Sequence, residues 1–415
     1  MDREDRFQQV RKRNMTAFFL DSFFFNVANM TFSPATVLPS FVAKLTDNNL
    51  YISLLTTLYY GLSYLAALFS CLLGSRARSP KKVYFFTALF QRVAFLLMFL
   101  SALTVGKWSA GSSLLFFMCA FAAFSATYGM TGTLFSQLVP FSLTGNLGQF
   151  YGNYMAIANF AGVVASLVLT FCFNRFAFPA DYAVTFLFGT LTAFLSSAAV
   201  WFGIHEITDG YEPEPITLKE FVPKSAAILK DEHAFVHVAV AYMMLSAAEF
   251  SRSYYIVKLS RLPCVPDDIV GIMNLVLLAA AIFGSRLIGK LIYRFGTYAG
   301  LITCFVTGTV ASVLAYFLSD LPLGIVLFLF SAVTGCCYFS FQNMISTVFS
   351  RGKEITLYSV VLKYIAAPMT ILVPILGGTV ANRFGEDTVF LIGLAIYLLG
   401  LIHCLRYRKE EDSFK

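Results

Sequence analysis

The chain has 415 residues, of which 58% are hydrophobic, 16% aromatic and only 13% charged, with a mean hydropathy of +0.72. Soluble domains carry about a quarter of their residues charged, so this composition excludes a water-coated globule. The apolar residues come in blocks of roughly 20 or more, the helix length that crosses a hydrocarbon core of ~30 Å. The alternation of barrel strands is missing, which predicts an all-α, polytopic membrane protein.

The N-terminal stretch MDREDRFQQVRKRN (1–14) is charged and precedes an apolar segment far longer than a signal-peptide core, so it reads as leading into a retained first span. The first six spans are predicted near 15–43, 50–73, 83–106, 110–139, 148–173 and 181–204. A second six follow near 234–257, 267–290, 297–318, 323–349, 355–380 and 387–405. The one long polar connection divides the chain into an N-terminal six-helix bundle (1–204), a connecting loop (205–233) and a C-terminal six-helix bundle (234–415). Within that loop TLKE (217–220) forms a capping box, with Thr217 as cap and Glu220 reaching back. It predicts a short surface helix, interrupted or reset near Pro223. Pro34 and Pro39 in the first span, and Pro368 and Pro374 in the eleventh, remove helix hydrogen bonds and permit kinks.

Lys and Arg distribute unevenly between the loops. About twenty lie on one side, among them Arg11, Lys12, Arg13, Lys81, Lys82 and Arg351; about six lie on the other, Lys44, Lys107, Arg175, Lys258, Arg261 and Arg383. This imbalance predicts both termini in the cytoplasm and accounts for the net charge of +7 without nucleic acid as a partner; the expected location is a cytoplasmic membrane of bacterial type. The eight cysteines have no CxxC spacing, with Cys264 alone in a likely external loop position, so neither a disulfide framework nor a zinc site is expected. The four histidines form no HExxH-type array and no Walker motif occurs. An enzyme, direct ATP use, a metal and a cofactor are therefore not expected.

Four short stretches repeat after apolar spans: ARSP (77–80), NRFA (174–177), YRFG (293–296) and NRFG (382–385). They close the second, fifth, eighth and eleventh spans, the middle helix of each successive group of three, which is the trace left by nested three-helix repeats. GKLIYRFG (289–296) carries Gly289, Arg294 and Gly296 in the spacing G-x-x-x-D-R-x-G, with Tyr293 in the Asp position. The copy in LGSRARSPKK (73–82) keeps Arg78, Lys81 and Lys82 but has Ala77 and Pro80 in place of Asp and Gly. In these motifs and in its topology the chain resembles the major facilitator superfamily.

That resemblance implies two pseudo-symmetric six-helix bundles, with spans 1, 4, 7 and 10 lining a central cavity. It assigns Arg78, Gly289, Arg294 and Gly296 to a cytoplasmic gating motif, although Arg78 and Arg294 read equally well as flanking charges. With both motif Asp residues lost, a cytoplasmic latch would need other partners. The implied function is a monomeric secondary active transporter that moves a small organic solute by alternating access, coupled to protons. A lipid or lysolipid translocator, or a non-transporting receptor, on the same fold is the alternative. The drug-efflux motif and the sugar-porter signatures are missing, so substrate and direction stay open.

Five ionisable residues fall deep within spans: Asp21, Arg92, Glu249, Arg252 and Lys363. Each costs at least ~2.5–3.5 kcal/mol in lipid and should face a partner or a cavity. Asp21 sits in the phenylalanine block AFFLDSFFFNV (17–27) and is expected to pair with Lys363 or Arg92. Glu249 and Arg252 are expected to pair with each other, either as a static i, i+3 pair or as part of the transport cycle. A buried carboxylate whose proton affinity responds to its surroundings can couple transport to a proton gradient. Lys363 would bind an anionic substrate or hold Asp21, and Arg92 reads as a structural tie. Asn26, Asn29, Tyr128, Thr131, Gln137, Tyr242, Tyr338, Gln342 and Asn343 are substrate-cavity candidates, each equally suited to hold helices together.

Overall fold

The computed structural model describes residues 3–143, 147–208, 217–263, 265–266, 268–350 and 355–408. Within them, side chains are not described at 3–9, 71, 136, 140, 147–149, 151–152, 218, 285–290, 292–293, 297, 336–348, 350 and 355–356. Helix α1 (Arg3–Thr31) starts polar and turns apolar after Asn14, then stops, and α2 (Val37–Leu45) begins after a break. The first span predicted as one helix is thus two. Pro34 supplies the reason: it donates no N–H and disfavours helical backbone at Ser33. Pro39 is tolerated because it lies in the first turn of α2, where backbone N–H groups have no helical acceptor.

The second span is composite: α3 (Asn49–Thr56), capped by the Asn48 side chain, a π-helical turn (Thr57–Leu62) and α4 (Ser63–Gly74). Then come α5 (Pro80–Thr104), α6 (Ala110–Leu138), α7 (Leu147–Arg175) and α8 (Ala180–Ala198), which closes in a second π-turn, Ala199–Gly203. Helix α9 (Leu218–Asp231) starts directly after Thr217, as its capping box requires. It runs through Pro223 without resetting. The carbonyl that loses a donor there belongs to Lys219, in the exposed first turn, where water can replace it.

Helix α10 (His233–Ala248) passes through a 3-10 turn (Glu249–Ser251) into α11 (Arg252–Ser260). The last five helices are α12 (Ile269–Phe295), α13 (Thr297–Tyr316), α14 (Leu321–Ser350), α15 (Ile355–Phe384) and α16 (Asp387–Tyr407). Helix α15 is continuous through both of its prolines. Among the described residues nine helical segments are long and apolar enough to cross a membrane, and α12 and α14 add the apolar stretches Ile269–Gly284 and Leu321–Gly335. No strand occurs among them, only an isolated bridge between Val105 and Trp108.

The repeated tetrapeptides acquire a structural meaning at two of their four sites. Gly296 and Gly385 end YRFG and NRFG with φ of 86° and 90°, backbone that L side chains rarely adopt. Each glycine turns the chain out of one long helix and towards the next.

The chain forms two compact units. The first comprises Met1–Ser33 and Leu65–Leu218; the second comprises Pro34–Tyr64 and Lys219–Lys415. In the first, α1 packs on α7 and α8, and α5 packs on α6 and α8. Its core includes Phe18, Leu134, Leu138, Phe150 and Val200. In the second, α10 packs on α15 and α16, α13 on α14 and α16, and α12 on α14. The helical hairpin 34–64 is tied into this second unit by neutral hydrogen bonds. Ser53 Oγ lies 2.8 Å from Tyr254 Oη, which donates to the Asn49 carbonyl at 2.6 Å, and the Tyr64 and Tyr242 hydroxyls meet at 2.9 Å.

Candidate functional site

In the first unit the intramembrane charges lie where α1, α5 and α8 meet. Asp21 and Arg92 are each 1% exposed. Ser196 Oγ donates to Asp21 Oδ1 at 2.6 Å and accepts from Arg92 Nη2 at 2.7 Å. Arg92 also donates to the Ala193 carbonyl, the Ala88 carbonyl and Gln91 Oε1. Its guanidinium stacks over Phe25, 4.9 Å from the ring centre, a favourable use of an aromatic face. The phenylalanines around Asp21 thus serve in part as the cation's wall, and Asp21 joins three helices through Ser196. Of the two partners expected for Asp21, Arg92 is in its network; Lys363 belongs to the other unit.

In the second unit the charges gather at the 3-10 turn between α10 and α11. Arg252 Nη1 donates to Glu249 Oε2 at 2.7 Å, with Glu249 2% exposed. Arg252 Nε donates to Ser331 Oγ of α14 at 3.0 Å. The guanidinium rests against Gly335, where a Cβ would come within 2.6 Å of Nη1. Glu249 Oε1 is buried and has no partner among the described residues, as is true of Tyr397 Oη. The expected i, i+3 pair is present, but among the described residues only half of the carboxylate is engaged. Lys363 on α15 is 8% exposed and takes part in no ion pair among the described residues.

The neutral candidates separate. Asn26 Nδ2 is turned back onto the Ser22 carbonyl at 2.7 Å, whereas Asn29 Oδ1 is buried without a partner among the described residues. Tyr128 stacks on Phe25 and Thr131 bonds to the Tyr128 carbonyl. Gln137 fills the space over Gly74, where any side chain would collide with it. Tyr242 is fully buried. The side chains of Tyr338, Gln342 and Asn343, and the surroundings of Gly289, fall outside the described residues.

Of the motif charges, Arg78 is exposed and Arg294 is exposed with its guanidinium over Phe295. The degraded first copy is held by a residue that sequence reading did not single out. Glu206, beyond the end of α8, accepts from Ser79 Oγ and from the Lys81 backbone N–H at 2.8 Å. Ser196, Ser331, Gly335 and Tyr397 were likewise not singled out, because a serine, glycine or tyrosine in an apolar helix carries no signal until a charge from another helix is brought against it.

No family profile and no curated protein matches this sequence. Solved structures match along nearly the whole chain. The nucleoside transporter NupG, in a mutant form, aligns with a TM-score of 0.71 at 13% identity, over 94% of this chain and 99% of that one. A POT family transporter in complex with a thioalcohol-conjugated peptide aligns at 0.70 and 9% identity, over 97% and 96%. A D-xylose-proton symporter aligns at 0.63 and 13% identity, over 95% and 97%. The fold is that of the major facilitator transporters, and the chain is a polytopic α-helical membrane protein of that architecture.

Proposed function

We propose that the protein is a secondary active transporter that moves a small organic solute by alternating access and couples it to protons, with Glu249 as the coupling carboxylate. The observation that carries this reading is the half-engaged ion pair at the break in the seventh span. A carboxylate with one oxygen on Arg252 and the other without a partner among the described residues is suited to alternate between an ion pair with the cation and release from it as a proton is taken up. A fully satisfied static pair would offer no such second state. The helix break supports the reading, since interrupted membrane helices place polar groups at binding sites. In the same reading Asp21 is a structural tie, because Ser196 and the Arg92 charge already serve it.

Lys363 bears on the solute. A buried ammonium needs a counter-charge, and an anionic group on the solute would supply one. We take the two sequence halves, 1–204 and 234–415, as the bodies that carry the motion, and place both termini in the cytoplasm on the Lys and Arg imbalance.

The test begins with a thermal-shift screen of metabolites, acids included, followed by uptake into proteoliposomes. A proton gradient should drive accumulation by the native chain. Glu249→Gln should lose accumulation while retaining counterflow exchange. Accumulation by Glu249→Gln equal to that of the native chain removes Glu249 from the coupling role, and a folded native chain that moves no solute in a broad screen overturns the transporter reading.

A further inference from the structure

An open groove of about 630 Å³ runs between α1 and the π-turn that closes α8, lined in part by Lys12, Arg13, Leu20, Ala199, Phe202 and Gly203. All of it lies within the first unit. Its depth comes from small residues: a Cβ on Gly203 would collide with the Ala17 side chain. Its apolar wall is open, with Leu20 45% and Phe202 71% exposed.

The groove sits at a polar–apolar boundary. Lys12 and Arg13 end the charged run of α1, and the apolar part of the helix starts two residues later at Met15. Trp201 is on the same π-turn, with the Lys81 ammonium 5.4 Å from its ring centre. An interfacial tryptophan beside lysine marks the headgroup level of a bilayer.

Capping explains part of this charge. Arg13 Nη2 donates to the Phe202 carbonyl at 2.6 Å, and Lys81 Nζ donates to the Trp201 and Ile204 carbonyls at 2.7 Å each, as cations do at a helix C-terminus. Among the described residues it leaves most of the Arg13 donors unused and does not account for Lys12, whose ammonium makes no hydrogen bond or ion pair there. Among the described residues no acidic side chain lines the groove. The nearby acid, Glu206, has both oxygens engaged by Ser79 and the Lys81 backbone. Two cations at the mouth of an exposed apolar channel, with no acid among its lining, complement a ligand with a phosphate at one end and a hydrocarbon chain at the other.

We propose that this groove binds an anionic phospholipid, with an acyl chain along Leu20, Ala199 and Phe202 and the phosphate against Lys12 and Arg13. Because zwitterionic lipids offer the same chain, the charge pair predicts preference rather than simple retention. Near a membrane surface each basic residue favours an anionic lipid several-fold, so two give a preference of about tenfold.

Native mass spectrometry of the full chain, titrated with phosphatidylglycerol or phosphatidylcholine of identical chains, reads this directly. The expected result is about tenfold stronger retention of phosphatidylglycerol, lost in Lys12→Gln/Arg13→Gln. Ala199→Trp, which fills the groove and keeps both cations, should lose it too, and Lys82→Gln, an exposed cation outside the groove, should keep it. Equal retention of the two lipids overturns the proposal, as does a preference that survives both groove variants. Displacement of the lipid by excess inorganic phosphate would mean a simple anion site and would also overturn it.

Discussion

The Asp21 carboxylate and the Arg92 guanidinium meet through one oxygen, Ser196 Oγ, which gives its proton to the acid at 2.6 Å and accepts from the cation at 2.7 Å. The hydroxyl has one proton, so its orientation is set by the two charges, and three helices are locked by one side chain. Ser196→Ala leaves a buried acceptor and a buried donor each short of a partner and should cost about 1–3 kcal/mol. Arg92→Met leaves the acid uncompensated and should cost more, about 3–5 kcal/mol. Thermal melting in detergent of Asp21→Asn, Arg92→Met and the double variant should give a double variant less destabilised than the sum of the singles. Strict additivity would mean that the two charges do not act as a unit.

The same network underlies the different roles proposed for the two carboxylates. Asp21→Asn protein that folds should retain gradient-driven accumulation, because its role is to hold α1, α5 and α8 together. Comparing it with Glu249→Gln in one proteoliposome assay decides the assignment. Loss of accumulation in Asp21→Asn, with exchange preserved, would move the coupling site to α1.

Gly335 offers a way to disturb the Glu249–Arg252 pair without touching either charge. An added Cβ would stand 2.6 Å from Arg252 Nη1. The guanidinium is the end of a flexible side chain, so Gly335→Ala should shift it at small cost to stability, within about 1 kcal/mol. Transport should fall several-fold while the melting temperature changes little. A variant with native transport would show that the position of Arg252 against α14 does not matter.

The start of α5 depends on two side chains. Ser79 caps the helix, with Pro80 at its first position, and Glu206 accepts from Ser79 Oγ and the Lys81 N–H. A carboxylate here also meets the positive end of the helix dipole. Ser79→Ala should cost about 1 kcal/mol, and Glu206→Gln a similar amount by loss of charge and of one acceptor. Hydrogen exchange of the first turn of α5 should rise in both. Unchanged exchange would show that the helix start is held by packing alone.

Glu386 lies between α15 and α16, where it pairs with Arg261 while Lys258 Nζ meets Asp387 at 2.7 Å. Burial lifts its carboxyl above the ordinary range, Arg261 opposes the rise and Asp387 adds to it. The folded chain therefore holds this proton more tightly than the unfolded chain. The resulting contribution is fully present below the unfolded value of about 4.3 and is lost as pH rises through the higher folded value. Relative to Glu386→Gln, which does not titrate, the native chain should gain in melting temperature between about pH 7 and about pH 4. A constant difference across that range would show that the carboxyl titrates alike folded and unfolded.

Much of the architecture was readable because a bilayer imposes a simple rule. Backbone groups in hydrocarbon must bond within their own helix, so each block of about twenty apolar residues declares a span, and the predicted spans fall on helical segments, the first of them divided at Pro34. Pro34 marked the break in the first span, since the loss of an N–H is a local fact. Pro368 and Pro374 could not be told apart from it by chemistry, yet α15 runs through both, because packing along a helix decides whether the lost bond becomes a break. The π-turns at Thr57–Leu62 and Ala199–Gly203 left no mark in the sequence.

The charged residues divide the same way. That Asp21, Arg92, Glu249, Arg252 and Lys363 needed partners followed from the sequence alone, because the cost of a charge in lipid does not depend on fold. The i, i+3 pairing of Glu249 and Arg252 followed as well, because helix geometry is local. Which partner Asp21 takes did not, since Arg92 and Lys363 were equivalent by charge and depth. The tertiary structure decided it by placing Ser196 of α8 between α1 and α5, and it decided that Glu249 keeps one oxygen unpartnered among the described residues. Composition determined that these charges would be costly and rare; the meeting of helices far apart in sequence determined which partners each of them finds.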